Sequence, residues 1–165
     1  MFAAMVALTV STTPAHAAPA DFTGNWVMDE SASTSLEPVF KLQGVAWAKR
    51  KLAEGLDQQQ LITQSGDSVS IVFDNIVGRM EQKLVADGKP YETVNTANRP
   101  VTFTTTWLSD GGLQGKAVLM SEEGKPADLT VTRRLSADGK TMTIDVTLVA
   151  GAGEKASGKR VFRKQ

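Results

Sequence analysis

The chain has 165 residues, 41% apolar and 22% charged, which fits one globular domain with its own core and excludes a disordered or fibrous chain. Lys plus Arg and Asp plus Glu both total 18, so no net field draws the protein to nucleic acid, and the only basic concentration is Lys49-Arg50-Lys51. Cysteine is absent, so the fold rests on its core and not on disulfides.

The chain opens on "MFAAMVALTVSTTPAHAAPA", an apolar stretch of small residues reaching Ala15-His16-Ala17, the A-x-A form of a secretory cleavage site. This predicts a signal peptide over residues 1–17 and a single mature domain over 18–165. No Lys or Arg precedes the apolar run, so the true start is expected upstream of Met1. Ser11, Thr12, Thr13 and Pro14 leave the run too short to span a bilayer as a helix, so the expected location is periplasmic or secreted, without an anchor. Cleavage removes His16, the one histidine, and with it any imidazole for a triad, for acid–base work near neutral pH or for a His-based metal site. No enzyme activity, metal or cofactor is expected.

In "DFTGNWVMDES", Phe22, Gly24, Trp26 and Met28 fall on one face of a first strand. Thr34 with Glu37 has the form of a capping box, and Leu36, Val39, Phe40 and Gln43 make one helical stripe, predicting a short helix ending at Gly44. A second helix is predicted from Gly44 to Glu54, with Gly55 as its left-handed stop. Val45, Ala48 and Leu52 form its docking stripe, while Trp47, Arg50, Lys51 and Glu54 face away. Helices this short must lie against something larger.

Alternating segments separated by turn residues follow: "QLITQ" and "SVSIVFD" around Ser65-Gly66-Asp67, then "RMEQKLVA" and "PYETVN" around Asp87-Gly88, the strongest hairpin signal in the chain. "VTFTTTWL" and "LQGKAVLM" flank Ser109-Asp110-Gly111-Gly112, "LTVTRRL" and "TMTIDVTLV" flank Asp138-Gly139, and "KRVFRK" follows the loop "GAGEKASG". The prediction is an all-β fold: a ten-stranded antiparallel up-and-down barrel, clam-like, whose closure removes its edges, with a helix-turn-helix lid between strands one and two.

"FTGNW", "FKLQGVAWAKRKLAE", "ITQSGDSVSI", "VTRRLSADGKTMTIDV" and "GKRVFRKQ", in this order and at about these distances, resemble the intracellular fatty-acid-binding proteins of the calycin group. The resemblance spans residues 21–165, and its most specific parts are G-V-x-aromatic-x-x-R-K and the basic-aromatic last strand. It implies a clam-shell barrel holding a long-chain fatty acid or similar lipid, here in an exported, bacterial-type version of a family that is typically cytosolic. In that family two arginines and a tyrosine commonly hold the carboxylate. "VTRRLSADGK" matches the first arginine with Arg133 or Arg134. Arg160-Val161-Phe162 matches the R-x-Y pair, with Phe162 in place of the tyrosine, so that hydroxyl contact is lost.

Alternation places Leu129, Val131, Arg133 and Leu135 on one face and Thr130, Thr132 and Arg134 on the other, which turns Arg133 inward. An inward guanidinium keeps its charge and needs a partner. A ligand carboxylate, an internal Asp or Glu, or cavity water would each serve. Arg160 and Phe162 share a face, a solvated basic strand end on the residues alone and an inward one if they follow the resemblance. Trp107, Phe103 and Val101 share another, as do Met142, Ile144, Val146 and Leu148, as core or as cavity wall. Tyr91 is a candidate replacement hydroxyl donor. At the portal, Phe40, Trp47, Lys49, Arg50 and Lys51 suit a ligand tail or transient contact with an anionic membrane surface.

The expected function is a monomeric carrier or scavenger of a fatty acid or other hydrophobic small molecule. The alternatives are a filled-barrel interaction or envelope protein and an enzyme on the same barrel, for which Asp74, Glu81 and Asp145 are the available carboxylates.

Overall fold

A computed structural model describes residues 17–54, 59–75, 78–94, 100–121, 124–151 and 153–165, without the side chains of residues 51–54, 74, 75 and 78. The signal peptide, apart from Ala17, and Gly55 lie outside the described residues. Among the described residues the strands are β1 (Gly24–Met28), β2 (Gln59–Ser65), β3 (Ser68–Asn75), β4 (Gly78–Val85), β5 (Asp87–Val94), β6 (Pro100–Trp107), β7 (Leu113–Met120), β8 (Pro126–Leu135), β9 (Thr141–Ala150) and β10 (Lys155–Lys164). They form one sheet in the order β4-β3-β2-β1-β10-β9-β8-β7-β6-β5. The fold is the expected ten-stranded antiparallel barrel. Pairing of β1 with β10, Met28 opposite Phe162, brings the first and last strands together.

The barrel keeps a seam. Asp87-Gly88 does not close a hairpin: β4 pairs with β3 along its whole length, Asp87 already pairs with Thr106 of β6, and β4 and β5 share no ladder. Gly88 takes the left-handed φ of 75° that the turn signal anticipated, but Ala86 donates its amide to the Asp67 carbonyl. Side-chain bonds replace part of the missing ladder, with Gln82 Nε2 donating to the Val94 carbonyl at 2.8 Å. The edges therefore meet without being abolished.

Two short helices, α1 (Glu37–Leu42) and α2 (Trp47–Glu54), connect β1 to β2. The capping box does not form. Leu36 is the N-cap, Ser35 Oγ accepts from the Glu37 amide, and Thr34 Oγ1 accepts from the Lys159 amide. The segment before α1 is thus tied to β10, and Glu37 pairs with Arg50. Gly44, at φ 83°, ends α1 as expected: Val45 N bonds Phe40 O and Gly44 N bonds Lys41 O, a Schellman pair. This delays α2 to Trp47.

The strand β10 begins four residues before the predicted "KRVFRK". Gly158 lies within it, and a Cβ there would come within 2.9 Å of the Ser35 carbonyl and closer still to Leu36 Cδ2. Only glycine lets the lid's first residues seat on this strand.

At the opposite end, which we call the floor, residues 17–22 strap the barrel. Ala17 and Ala20 donate their amides to the Ser109 and Gly111 carbonyls, Gln64 Nε2 donates to Ala20 O, and Phe22 stacks on Trp107 at 6.3 Å. Phe22, Trp26, Ile62, Ile71, Leu113, Met142 and Phe162, each 0% exposed, fill the space above it. Large side chains so buried contribute about 1.5–3 kcal/mol each.

Candidate functional site

Register sorts the inner wall of β7 to β10 into rows. Leu135, Met142 and Phe162 form a row that Met28 of β1 completes. The next row toward the lid is Leu113, Arg133, Ile144 and Arg160. Above it run Gly115, Val131, Val146 and Gly158, then Ala117, Leu129, Leu148 and Ala156.

The two arginines flank Ile144 from either side, two strands apart, about 10 Å between backbones at the usual strand spacing. Arg133 is 7% exposed and Arg160 9%. In the row beneath them Met142 and Phe162 are covered and Met28 and Leu135 half-buried, while above them Val131, Val146, Leu129 and Leu119 are half-buried and Leu148 is covered. Those four half-buried apolar side chains lie on the lid side of the arginines, and α1 lays Leu36, Val39 and Phe40 against Val146, Leu129 and Leu119.

Arg134 faces out, where its Nε donates to Asp110 Oδ2 at 2.8 Å. Arg160 Nη1 donates to Met28 Sδ at 3.1 Å. Among the described strand residues, no inward position carries Asp or Glu. Glu81 lies on the outer face, accepting from Ser70 Oγ, and Asp145 lies there beside Arg134. The Asp74 side chain is outside the described residues.

Across the barrel, Tyr91 of β5 turns inward opposite Phe103, and its hydroxyl bonds Thr105 Oγ1 at 2.5 Å. Burial raises the Tyr91 pKa above its ordinary 10.0, opposed by the Thr105 hydroxyl, the Val85 amide and the nearby Arg133 charge. Phe162 is a filled-layer residue, 0% exposed, and Trp107 belongs to the floor, where its Nε1 donates to Asp67. The structure thus brings Arg133, Arg160 and Tyr91 toward one compartment and leaves Trp107 out of it.

At the lid, Phe40 packs with the cluster of Leu36, Val39 and Leu148. Trp47 is 65% exposed. Ala48 is exposed too and joins no docking stripe, while Val45 is half-buried. Arg50 ties the helices together through Glu37 at 2.9 Å and the Val45 carbonyl at 2.6 Å. Lys49 lies exposed; the side chains of Lys51 and Leu52 are outside the described residues.

Sequence reasoning passed over three buried inward polar residues, Gln60, Gln82 and Thr105. Each sits in phase with apolar neighbours, Gln60 with Ile62, Gln82 with Leu84 and Thr105 with Phe103, and that phase was the available signal. Gln60 lies between Trp26 and Phe73, and its Oε1 makes no hydrogen bond to the described residues.

No family model and no curated protein matches the sequence. Solved structures do match the fold. The REP1-NXSQ fatty acid transporter aligns over 87% of this chain and 95% of its own, with a TM-score of 0.65 and 17% identity. Fatty-acid-binding protein 1 of Echinococcus granulosus covers 87% and 96%, at 0.65 and 16%. The fatty acid binding protein of Schistosoma mansoni, solved with arachidonic acid, covers 87% and 96%, at 0.66 and 17%. At such identities the likeness is one of fold, the ten-stranded clam barrel of fatty-acid-binding proteins.

Proposed function

We propose that the protein binds a long-chain fatty acid or related acidic lipid in the upper half of the barrel, with its carboxylate at Arg133 and Arg160. The observation that carries this reading is the pair of buried inward arginines flanking Ile144, with half-buried apolar side chains between them and the lid. Guanidinium groups bind carboxylates through paired, charge-assisted hydrogen bonds. The acyl chain then runs toward the lid along Val131, Val146, Leu129 and Leu119. Burying about fourteen methylenes yields roughly 11 kcal/mol before association costs, and micromolar binding needs about 8 kcal/mol. The barrels of similar fold that bind or transport fatty acids support the same reading.

The A-x-A site at Ala15-His16-Ala17 supports export, so the proposed role is a carrier or scavenger in the periplasm or outside the cell. The exposed Trp47 beside Lys49 suits brief contact with an anionic membrane during loading. The test is native mass spectrometry of mature protein recovered from its secretory compartment, followed by organic extraction. A co-purifying acidic lipid is the expected result. A protein that emerges empty, and stays empty when offered fatty acids, refutes the proposal and favours an interaction role.

A further inference from the structure

The geometry points to the Tyr91–Thr105 hydroxyl pair as a second part of the headgroup subsite, contributed from β5 and β6 and donating one hydrogen bond to the carboxylate held at Arg133. The inference rests on the ligand reading above and specifies which wall reads the headgroup.

Tyr91 and Thr105 bond each other at 2.5 Å, and either oxygen can be the donor. Two hydroxyl hydrogens are present and the mutual bond uses one. The other remains to be donated, from Tyr91 or from Thr105 according to which way the first bond runs. Thr105 is 0% exposed, so its hydroxyl is dry, and a dry donor favours a strong acceptor.

The identity of that acceptor follows from the charge nearby. Thr105 pairs with Gly115 and Gly115 with Val131, the inward residue next to Arg133 on β8, so the pair lies two strands from the guanidinium. That charge acts on the Tyr91 hydroxyl against a weaker one from Asp87. An acceptor near both a guanidinium and a hydroxyl donor is best supplied by an anion. Tyr91 is only half-buried, and Gly115, between Thr105 on β6 and Val131 on β8, has the Phe103 ring packed over it, so Phe103 borders the pair on that side. Phe162 offers no hydroxyl and is sealed in the layer beneath, with Met142. The headgroup's hydroxyl contact therefore comes from the wall across the barrel.

Tyr91 is the only tyrosine in the chain, so the ultraviolet absorbance of phenolate reports on this one site. The experiment titrates the intact protein alone, with hexadecanoic acid and with hexadecanol, and measures the affinity of both ligands for wild type, Tyr91→Phe and Thr105→Val. An anion accepting from the pair opposes phenolate formation, so the acid is expected to raise the Tyr91 pKa beyond the value reached with the alcohol. Either substitution is expected to weaken the acid about three- to tenfold, the range for one lost hydrogen bond, and the alcohol less. If the acid binds but shifts Tyr91 no more than the alcohol does, and Tyr91→Phe binds it as wild type does, the hydroxyl pair is structural and the inference falls while the ligand reading stands. If neither ligand binds wild type, both fall. Because the titration uses unsubstituted protein, misfolding of a variant cannot decide the outcome.

Discussion

Arg133 is where charge, burial and register coincide. Replacing it with glutamine keeps a polar side chain but removes the cation, and a hydrogen bond to a charged group is worth about 1.5–3 kcal/mol. Arg133→Gln is expected to weaken a fatty acid by about tenfold or more while leaving the matching fatty alcohol within a few-fold, as measured by displacement of a fluorescent lipid. Equal loss for both would remove the carboxylate from this arginine. Phe162 carries the opposite expectation. Its ring is 0% exposed beside Met142 and Met28, so Phe162→Tyr pushes a hydroxyl into a filled layer and should cost about 1–3 kcal/mol of stability by urea denaturation. A neutral result would mean that open space lies there. Period-two alternation was enough to turn Arg133 inward from the sequence, whereas for Arg160 it gave only a face shared with Phe162, and the family resemblance supplied the inward direction. Alternation could not say that Phe162 lies covered beneath the arginine row, because it gives the face of a strand and not how fully each position is covered.

Among the elements, the lid is held by specific fittings more than by helix propensity. Gly158 admits Leu36 and the Ser35 carbonyl against β10, and Thr34 and Ser33 accept the Lys159 and Val161 amides. Gly158→Val is therefore expected to dislodge the start of α1 while leaving the β-ladders intact. Hydrogen exchange should accelerate at Phe40, whose amide bonds the Leu36 carbonyl at the start of α1, and at Gln43 and Gly44, whose amides hold its end, and lipid release should quicken. Unchanged exchange in α1 would show that the lid is seated by other contacts. Here the sequence was only partly legible. The alternation and turn chemistry of β2, β3 and β7 located those strands closely, and Gly44 marked a true helix end. The Asp87-Gly88 signal misled because a turn dipeptide fixes local φ angles, whereas pairing depends on which edges remain when the sheet curls. The capping box at Thr34 and Glu37 failed because both side chains found tertiary partners, Lys159 and Arg50. Gly158 looked like loop because nothing local announces that a helix will pack against it.

For the whole molecule, a strapped floor and the covered layer of Phe22, Trp26, Met142 and Phe162 lie beneath the arginine row, and α1 covers the apolar rows above it. The outer surface adds a pH dependence. Hydrogen bonding from Ser31, then the Arg163 guanidinium, holds the Asp29 carboxyl below its ordinary 3.8, and Asp110 is lowered from the same value chiefly by Arg134. Carboxylates lowered on folding stabilise the protein above the unfolded value, and that contribution disappears as pH falls through the lowered one. The urea midpoint should therefore decline as pH drops below about 3.8, and Asp29→Asn should shallow the decline. An identical slope in the variant would contradict this assignment.

The most direct measurement of the central claim is the carbon-13 resonance of a carboxyl-labelled hexadecanoic acid bound to the protein, followed through a pH titration. Two guanidinium groups favour the ionised head, so the carboxyl is predicted to stay deprotonated to a pH well below that at which the same acid titrates when its head is exposed to water. Arg133→Gln should bring its titration back toward that ordinary value. A bound acid that titrates like an exposed carboxyl in wild type and variant alike would place its head outside the barrel and contradict the account.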